Sequence, residues 1–352
     1  MSLILIDLLV FKGGRGSVSF LDEFNQLHGQ RILVTGASGF VGSRLLASQD
    51  ALAQNIQFRA ITRGPLENPL SNVEQFLVSD ISEKSDWTKA LLGVDTIVHL
   101  AARVHVMEDR ASNPLEKYRK ANVISTLNLA RQAANAGVKR FIFLSSIKVN
   151  GEKTNLGEPF TEHSIPKPED PYGVSKLEAE EGVREICNAT GMEYVLIRPP
   201  LIYGPGVKAN YQKLMRLVQK RLPLPLGGIV NQRSMLALDN LIDFILLVAR
   251  HPKAANQLFL LSDSQAYSTP HLIERMSKCM GYTSSRLISI PAQILRIAGL
   301  CLGQKAAVDR LTESLEVSTR KAHQLLNWNP PLNVEQAIQI TVNDFLSSQE
   351  AA

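Results

Sequence analysis

The sequence predicts an α/β protein with two parts: a doubly wound parallel sheet and a smaller, mostly helical lobe. Short apolar runs without strict alternation indicate strands that are covered on both faces. Longer amphipathic stretches separate these runs, and this alternation favours parallel strands joined by helices. After Pro199 and Pro200, proline and glycine become frequent and helical patterns dominate, which marks the second lobe.

Six apolar runs in the first part are predicted strands, and four amphipathic runs between them are predicted helices. Gly137 and Gly191 follow two of these helices, at positions where glycine commonly ends a helix. The predicted strands are Arg31–Thr35, Gln57–Thr62, Gln75–Val78, Thr96–Leu100, Arg140–Ser145 and Glu193–Arg198. The predicted helices are 41–48, 87–92, 114–136 and 172–188 in the first part, and 211–219, 240–249, 270–280, 291–302 and 334–346 in the second lobe.

The domain organisation follows from these patterns. We expect an N-terminal extension at 1–28, a sheet domain at 29–200 and the smaller lobe at 201–352, from which a segment at about 233–262 returns to the sheet. The first residues, MSLILIDLLVF, are apolar, but they are few, contain Asp7 and lack the flanks of a signal peptide. A second apolar run, 290–302, contains Arg296 and is also too short to span a bilayer. We expect a core helix there, with contact at a membrane surface as the alternative.

Composition excludes several classes of protein. The chain has 352 residues, of which 45% are hydrophobic and 20% charged, as is typical of a folded protein with a full core. The net charge of +5 is spread along the chain, so we expect no nucleic-acid partner. The three cysteines, Cys187, Cys279 and Cys301, lack metal-ligand spacing. They predict reduced thiols in a cytoplasmic protein, without a metal site.

The first predicted strand runs directly into a glycine-rich loop, TGASGFVG at 35–42. Glycines at this spacing let the backbone turn tightly and leave its N–H groups open to a pyrophosphate. The helix that follows points the positive end of its dipole at the same place. A glycine loop between a strand and a helix predicts a dinucleotide-binding, Rossmann-type domain. The candidate cofactor contacts in this loop are Gly36, Ser38, Gly39, Phe40, Val41 and Gly42.

The end of the second strand is expected to meet the adenosine ribose of the cofactor. An acidic residue there would bind the 2′-hydroxyl and favour NAD(H). The strand instead ends in Thr62, Arg63 and Gly64. Because Arg63 can pair with a 2′-phosphate, we expect NADP(H) as the cofactor. NAD(H) stays open, since Arg63 can equally be a solvated surface residue.

Two further segments are candidate cofactor contacts. Asp80 and Ile81 follow the third strand, where an acidic residue reaches the adenine edge. Leu100, Ala101 and Ala102 follow the fourth strand, where small residues let the backbone pass close to a ligand. His99, which precedes them, is interpreted as a packed, hydrogen-bonded histidine rather than a catalyst.

A Ser-Tyr-Lys set carries the predicted chemistry. The fifth strand ends in the pair Ser145-Ser146, at the edge of the sheet where ligands bind in folds of this class. Tyr172 and Lys176 are four residues apart and share one face of a predicted helix. An ammonium group one turn away favours the phenolate and lowers the pKa of a tyrosine from its usual value of about 10. Tyr172 is therefore the predicted general acid or base.

These features resemble the extended short-chain dehydrogenase/reductase family of the NAD-dependent epimerase/dehydratase type, in particular its nucleotide-sugar epimerases, dehydratases and 4-ketoreductases. The resemblance runs from about Gln30 to Leu346. The motifs that carry it are TGASGFVG at 35–42, Asp80-Ile81, HLAA at 99–102, Asn122, LSS at 144–146, YGVSK at 172–176, RPPLIYGPG at 198–206, Arg233 and LNWNP at 326–330.

The resemblance implies roles for matching residues. It makes Ser146, Tyr172 and Lys176 the catalytic set, and adds Asn122, Tyr172 and Lys176 to the cofactor site. The candidate substrate contacts are Arg103, Ser146, Asn210 and Arg233, the last as a clamp for a nucleotide diphosphate. Two positions depart from the family pattern: Asn150 stands where a tyrosine is usual, and Leu201 where an asparagine is usual. The resemblance also implies a homodimer formed through the helices around 114–136 and 172–188.

Among known relatives, the sequence is similar to bacterial UDP-glucose 4-epimerase-like proteins and to reductases that form UDP-N-acetylquinovosamine from a UDP-4-keto-6-deoxy-N-acetylhexosamine. Both act at C4 of a nucleotide-linked sugar, a UDP-sugar in these cases. Because Arg63 favours an exchangeable NADP(H), we expect the reductase used in surface polysaccharide synthesis, with the NAD-dependent 4-epimerase as the alternative. A non-catalytic, NADP-sensing regulator is the alternative from another class.

Overall fold

The structure, a computed structural model, describes residues 29–67, 69–104 and 113–350. The extension predicted at 1–28 lies outside these residues. Strands and helices occupy most of the described chain, and their order places a parallel sheet first and a helical lobe second.

Seven parallel strands form the main sheet, in the spatial order β3-β2-β1-β4-β5-β6-β9. The two remaining strands pair with each other in a small second sheet. The strands are β1 (Arg31–Thr35), β2 (Gln57–Thr62), β3 (Val73–Leu77), β4 (Thr96–His99), β5 (Arg140–Leu144), β6 (Glu193–Arg198), β7 (Leu201–Tyr203), β8 (Met235–Ala237) and β9 (Gln257–Leu260).

Twelve α-helices and one π-helical turn are found in the described chain. The π-helical turn, Arg119–Ile124, lies between α3 and α4. The helices are α1 (Phe40–Leu46), α2 (Gln49–Ala53), α3 (Pro114–Tyr118), α4 (Ser125–Asn135), α5 (Pro171–Thr190), α6 (Ala209–Gln219), α7 (Leu238–Val248), α8 (Thr269–Cys279), α9 (Ala292–Cys301), α10 (Lys305–Thr312), α11 (Arg320–Leu326) and α12 (Val334–Glu350).

Both faces of the sheet are covered, as the apolar strands predict. Successive residues of a strand point to opposite faces, and in β1 Ile32 packs into one core cluster while Leu33 packs into another. The first cluster includes Phe244 of α7, and the second includes Leu129 of α4 and Val183 of α5. The Rossmann-type, doubly wound sheet expected from the sequence is therefore confirmed.

Strand order also fixes where a ligand can bind. From β1 the chain passes to β2 and β3 on one side, and then crosses to β4, β5 and β6 on the other. A crevice opens at the carboxyl ends of the two strands where this direction reverses, and ligands of open α/β sheets bind there. In this protein those strands are β1 and β4, which pair in parallel from Ile32 to Thr35.

One predicted helix is wrong. Residues 88–93 form consecutive turns, and residues 87–92 contain no helix. Trp87 is fully buried in the core, and its backbone N–H donates to the side chain of Gln132 at 2.8 Å. A stretch this short gains little from helical hydrogen bonds, so the burial of Trp87 and Leu91 decides its conformation. A smaller difference is that β3 begins at Val73, two residues before the predicted start.

The smaller lobe has its own apolar core. Tyr211 and Met215 of α6 pack there with Ile273 of α8 and Val342 of α12. Between the segments of this lobe, α7 packs on the main sheet and β9 forms its last strand beside β6. The second half of the chain therefore contributes a helix and a strand to the sheet domain.

Three findings concern membrane-spanning helices, metal sites and the cysteines. Within the described ranges, no helix has the length and apolar character needed to cross a bilayer. The same residues hold no group of three His, Cys, Asp or Glu side chains arranged for a metal ion. The three cysteines are free thiols, of which Cys187 is buried and Cys301 exposed.

Candidate active site

The glycine loop after β1 leaves no room for side chains at two of its glycines. Gly36 has a φ of +67°, which favours glycine, and a Cβ atom there would lie 2.8 Å from the backbone nitrogen of Ala101. At Gly42 a Cβ atom would lie 2.7 Å from the Cα of Ala37. Gly39 donates its N–H to the carbonyl of Gly36 at 2.9 Å and begins α1 without a side-chain cap. The loop thus presents bare backbone to the crevice.

A cavity of about 870 Å³ occupies this crevice. Its volume is within the usual range for a cofactor or ligand site. Every cofactor candidate named from the sequence lines it except Asn122, and so do the three catalytic candidates and Arg103. These residues are Gly36, Ser38, Gly39, Phe40, Val41, Gly42, Arg63, Asp80, Ile81, Leu100, Ala101, Ala102, Arg103, Ser146, Tyr172 and Lys176.

Arg63 lies exposed at one end of the cavity. The backbone beside it is held by Gln75, whose amide donates to the carbonyl of Gly64 at 2.7 Å and accepts from the N–H of Leu66 at 3.2 Å. Among the described residues that line the cavity, Asp80 is the one acid. An arginine on a fixed turn, without an acid at the end of β2, can accommodate a phosphate on the adenosine ribose.

The catalytic candidates come from two neighbouring elements. Ser146 is the second residue after β5 and accepts from the N–H of Lys148 at 3.3 Å. Tyr172 and Lys176 lie on the first turns of α5, and Ser146 lies close enough to Tyr172 to favour a lower pKa of its phenol. The sequence prediction that these three side chains meet at the sheet edge agrees with this geometry. Their catalytic roles stay a prediction.

Burial dominates the pKa of both ionisable groups in this set. It lowers the pKa of Lys176 to about 7, against an opposing effect of Glu180. It raises the pKa of Tyr172 above its ordinary value, with the charge of Asp170 adding to the increase and Ser146 opposing it. The expectation that Lys176 lowers the pKa of Tyr172 is therefore not met in the protein alone, because desolvation of the phenolate outweighs its favourable contacts. The ammonium of Lys176 lies 4.2 Å from the ring centroid of Phe143.

A charged cluster fixes the start of α5. The carboxylate of Asp170 accepts from the N–H of Gly173 at 2.6 Å and caps the helix. Lys148 donates to Asp170 at 2.5 Å and to Glu152 at 2.7 Å. This cluster ties the segment after β5 to the helix that carries Tyr172, and sequence reasoning did not find Lys148.

The buried side chain of Asn122 links Arg103 to helix α5. Asn122 is buried in the π-helical turn, a feature that often occurs at functional sites. Its side chain donates to Ser175 at 3.0 Å and to the carbonyl of Arg103 at 3.1 Å, and accepts from the N–H of Arg103 at 2.7 Å. Ser175 in turn donates to the carbonyl of Tyr172 at 2.8 Å. Asn122 therefore positions Arg103 and the first turn of α5, and it does not line the cavity.

His99 belongs to a buried hydrogen-bond chain. Thr126 donates to the carbonyl of Asn122 at 2.7 Å, so its oxygen accepts from Nε2 of His99 at 2.9 Å. Nδ1 of His99 then accepts from the hydroxyl of Thr35 at 2.7 Å. Burial lowers the pKa of His99 to about 3, with Lys176 adding to the decrease. A neutral histidine with both nitrogens occupied is structural, as expected.

Two substrate candidates lie apart from the cavity lining. Asn210 is an exposed residue in the first turn of α6. Arg233 is mostly buried, pairs with Tyr267 through its backbone and donates from its guanidinium to the carbonyl of Glu313 at 2.9 Å. Burial lowers the pKa of Arg233. Their proposed contacts with substrate stay predictions.

Two residues of the site have weak sequence signals. Ser145 lines the cavity, and within the described structure its buried hydroxyl lacks a hydrogen-bond partner, which suits a ligand with a polar atom. The Ser145-Ser146 pair was the signal for it. The ring of Tyr118 packs edge-on against Tyr172, with 6.1 Å between the centroids. No sequence motif marks Tyr118. It is found only because its helix, α3, packs on α5.

Comparison with known proteins adds three similarities. Over 318 residues the chain is 41% identical to a UDP-glucose 4-epimerase from Vibrio cholerae, covering 90% of this chain and 96% of the relative. It is 29% identical to an N-acetyl-alpha-D-glucosaminyl-diphospho-ditrans,octacis-undecaprenol 4-epimerase from Escherichia coli O157:H7, covering 77% and 78% of the two chains. The crystal structure of a UDP-glucuronic acid 4-epimerase from Bacillus cereus in complex with NAD superposes with a TM-score of 0.72 at 20% identity, covering 91% and 99%, which shows the shared fold.

A family model extends these similarities to the residues of the site. The model described as "NAD dependent epimerase/dehydratase family" matches residues 32–260, from β1 to the end of β9. That range contains the glycine loop, Ser146, Tyr172 and Lys176. The family resemblance stated from the motifs is thereby confirmed, and this chain belongs to the NAD dependent epimerase/dehydratase family of enzymes.

Proposed function

We propose that the protein oxidises and reduces C4 of a UDP-linked sugar and works as a 4-epimerase. The observation that carries the proposal is the complete set of Ser146, Tyr172 and Lys176 at one cavity. The relative that is 41% identical over nearly the whole chain is a UDP-glucose 4-epimerase, which supports this substrate class.

The residues present suit a dinucleotide cofactor. Gly36 and Gly42 form a cradle that side chains would fill, and the cavity extends from there to Lys176. We propose that the glycine loop holds the pyrophosphate, that Asp80 and Ile81 meet the adenine, and that Lys176 holds the nicotinamide ribose. The bound nicotinamide supplies the chemistry of taking up and giving back a hydride.

Tyr172 moves the proton in this mechanism. As the phenolate, Tyr172 takes the proton of the C4 hydroxyl as that carbon is oxidised, and the phenol so formed returns the proton to the C4 oxygen on reduction. Ser146 hydrogen-bonds the same sugar oxygen and Tyr172, so it orients the reacting atom. Lys176, when it is protonated, stabilises the phenolate. In an epimerase the reduction occurs from the opposite face of the sugar.

Arg63 favours a second candidate, the 4-ketoreductase. An exposed guanidinium at the end of β2, without an acid beside it, is typical of sites for the 2′-phosphate of NADP(H). NADPH serves as a consumed reductant, whereas an epimerase regenerates its cofactor in each turnover. The reductase would convert a UDP-4-keto-6-deoxy-N-acetylhexosamine into UDP-N-acetylquinovosamine, with Tyr172 donating the proton to the C4 oxygen.

One experiment separates the two candidates. The enzyme is incubated with UDP-glucose without added cofactor, and separately with the 4-keto sugar nucleotide and NADPH. The epimerase forms UDP-galactose in the first reaction and oxidises no NADPH in the second. Stoichiometric oxidation of NADPH without formation of UDP-galactose would establish the reductase instead. Inactivity in both reactions would leave the non-catalytic sensor, which binding of NADP(H) alone would then support.

We also propose a homodimer formed through the outer faces of α4 and α5. These helices pack closely, because a Cβ atom at Gly182 would lie 2.6 Å from a methyl group of Leu127. Ile124, just before α4, is 41% exposed and provides an apolar contact for a second copy. Analytical ultracentrifugation of the wild type and of Ile124→Glu tests this, and a wild-type monomer would refute it. The cytoplasmic location expected from the free thiols likewise stays a proposal.

A further inference from the structure

The helix α9 has its apolar face toward solvent. A surface helix ordinarily buries its apolar stripe and exposes polar residues. Here Ile294, Ile297 and Leu300 are 55%, 64% and 66% exposed, and Leu302, which caps the helix, is 75% exposed. The core helix expected for residues 290–302 is therefore wrong. This exposure fits the alternative expected from the sequence, which is contact at a membrane surface.

The opposite face of α9 is the one that packs on the protein. Gly299 is buried where α9 meets Val308 of α10, and Leu295 packs against the core of the smaller lobe. Arg296 donates to the hydroxyl of Thr312 at 3.3 Å. Gly299, Leu295 and Arg296 thus hold α9 against the protein. The isoleucines and leucines on its other face form the outer surface.

A neighbouring strand-like segment continues this apolar surface. Leu224 donates its N–H to the carbonyl of Arg286 at 2.8 Å, and its carbonyl accepts from the N–H of Ile288 at 2.8 Å, which places residues 222–224 beside 286–288. Leu222 is 47% exposed and Ile288 is 50% exposed. Together with Ile294, Ile297, Leu300 and Leu302 of α9 and its cap, they form what we call the α9 surface.

The segments that build this surface are cationic and contain no acid. Residues 216–230 include three Lys or Arg and no Asp or Glu, and residues 281–308 include three Lys or Arg and no Asp or Glu. The whole chain, by contrast, has 38 basic and 33 acidic residues. Lys220, Arg221, Arg286 and Lys305 are exposed in these segments. A protein partner recognised by an apolar stripe alone would not require this exclusion of acids, whereas an anionic bilayer does.

We propose that the α9 surface docks on anionic lipid bilayers, with α9 lying in the plane of the interface. Its isoleucines and leucines enter the boundary between headgroups and acyl chains, and the surrounding lysines and arginines meet the lipid phosphates. This attachment is peripheral, because α9, with 10 residues, is too short to span a bilayer. The inference rests on this surface and does not depend on the reaction at the cavity.

Vesicle co-sedimentation tests the proposal. The protein is mixed with vesicles of phosphatidylcholine alone and with vesicles containing about one-third phosphatidylglycerol. We expect binding to the anionic vesicles, weakened by salt, and little binding to the neutral ones. The double variant Arg286→Gln/Lys305→Gln should bind about fivefold more weakly for each cation removed. Equal binding to both vesicle types, or no binding to either, would overturn the proposal.

Substitutions on the apolar face complete the test. Ile297→Ser/Leu300→Ser should weaken binding to anionic vesicles about tenfold or more, while cofactor binding at the distant glycine loop stays unchanged. Leu92→Ser is the matched control, since Leu92 is also 65% exposed but lies at the sheet domain, and it should bind as the wild type does. If the double serine variant instead converts a dimer into a monomer and leaves vesicle binding intact, the surface joins two copies and the lipid proposal fails.

Discussion

Arg198 donates two hydrogen bonds, of 2.9 and 2.5 Å, to the carboxylate of Glu180, and both side chains are almost completely buried. A third bond, of 3.0 Å, runs from Arg198 to the side chain of Asn150. The pair therefore lies between β6 and α5, one turn after Lys176. It also explains Asn150, which departs from the family pattern: at this position the chain uses a buried amide to complete the contacts of Arg198.

Removal of Glu180 alone should leave Arg198 as an uncompensated buried charge. We expect Glu180→Leu to lower the free energy of unfolding by about 3–5 kcal/mol, measured by urea denaturation. The double variant Glu180→Leu/Arg198→Met should recover most of that loss, because it removes both charges and fills the space with apolar atoms. Equal losses in the single and the double variant would contradict this account.

Lys176 should destabilise the free protein at neutral pH. Its pKa is lowered to about 7 in the folded state from an ordinary value of 10.5. Between these pH values the unfolded chain holds a proton that the folded protein has lost, so this group makes the free energy of unfolding rise with pH across that window. Lys176→Met removes the cost of burying the ammonium, and without cofactor it should be about 1–3 kcal/mol more stable than the wild type at pH 7.

The pH dependence provides the check on Lys176. The gain in stability of Lys176→Met over the wild type should shrink as the pH rises from 7 towards 10.5, because the unfolded wild-type chain then loses the proton that the folded protein has already lost. Lys139→Met is the control, because the side chain of Lys139 is 77% exposed and should show little such trend. A variant that is less stable than the wild type at pH 7 would refute the prediction.

Tyr172→Phe should abolish proton transfer and leave the site otherwise intact. The ring would keep its edge-on contact with Tyr118, so folding and cofactor binding should change little. We expect kcat to fall by about 10²–10⁴. Tyr118→Phe, which also removes one hydroxyl from a tyrosine ring at the site, should retain most of the activity. Activity of Tyr172→Phe close to that of the wild type would exclude Tyr172 as the acid or base.

The features of the site that depend on local sequence pattern were predicted well from the sequence, whereas those that depend on tertiary packing were not. The glycine loop and the four-residue spacing of Tyr172 and Lys176 are local features, and both lie at the cavity as expected. The raised pKa of Tyr172 depends on burial by several distant segments, which spacing alone does not show. The same holds for α9, where 290–302 has a core-like composition and only the tertiary structure reveals that its apolar face is exposed.

Arg63 offers the last prediction, on cofactor choice. Its guanidinium is exposed at the cavity, on a turn held by Gln75, and within the described structure it makes no hydrogen bond or ion pair. If it binds a 2′-phosphate, Arg63→Asp should weaken NADP binding by about tenfold or more, because charge-assisted bonds to phosphate are lost and an acid is introduced. The same acid should strengthen NAD binding through the ribose 2′-hydroxyl. Dissociation constants for both cofactors, measured by fluorescence titration, give the ratio of NADP to NAD affinity.

Lys84→Asp is the control for a general charge effect, since Lys84 is exposed and does not line the cavity. An unchanged ratio of the two constants would make Arg63 a solvated surface residue, and with it the support for an NADPH-dependent reductase would disappear.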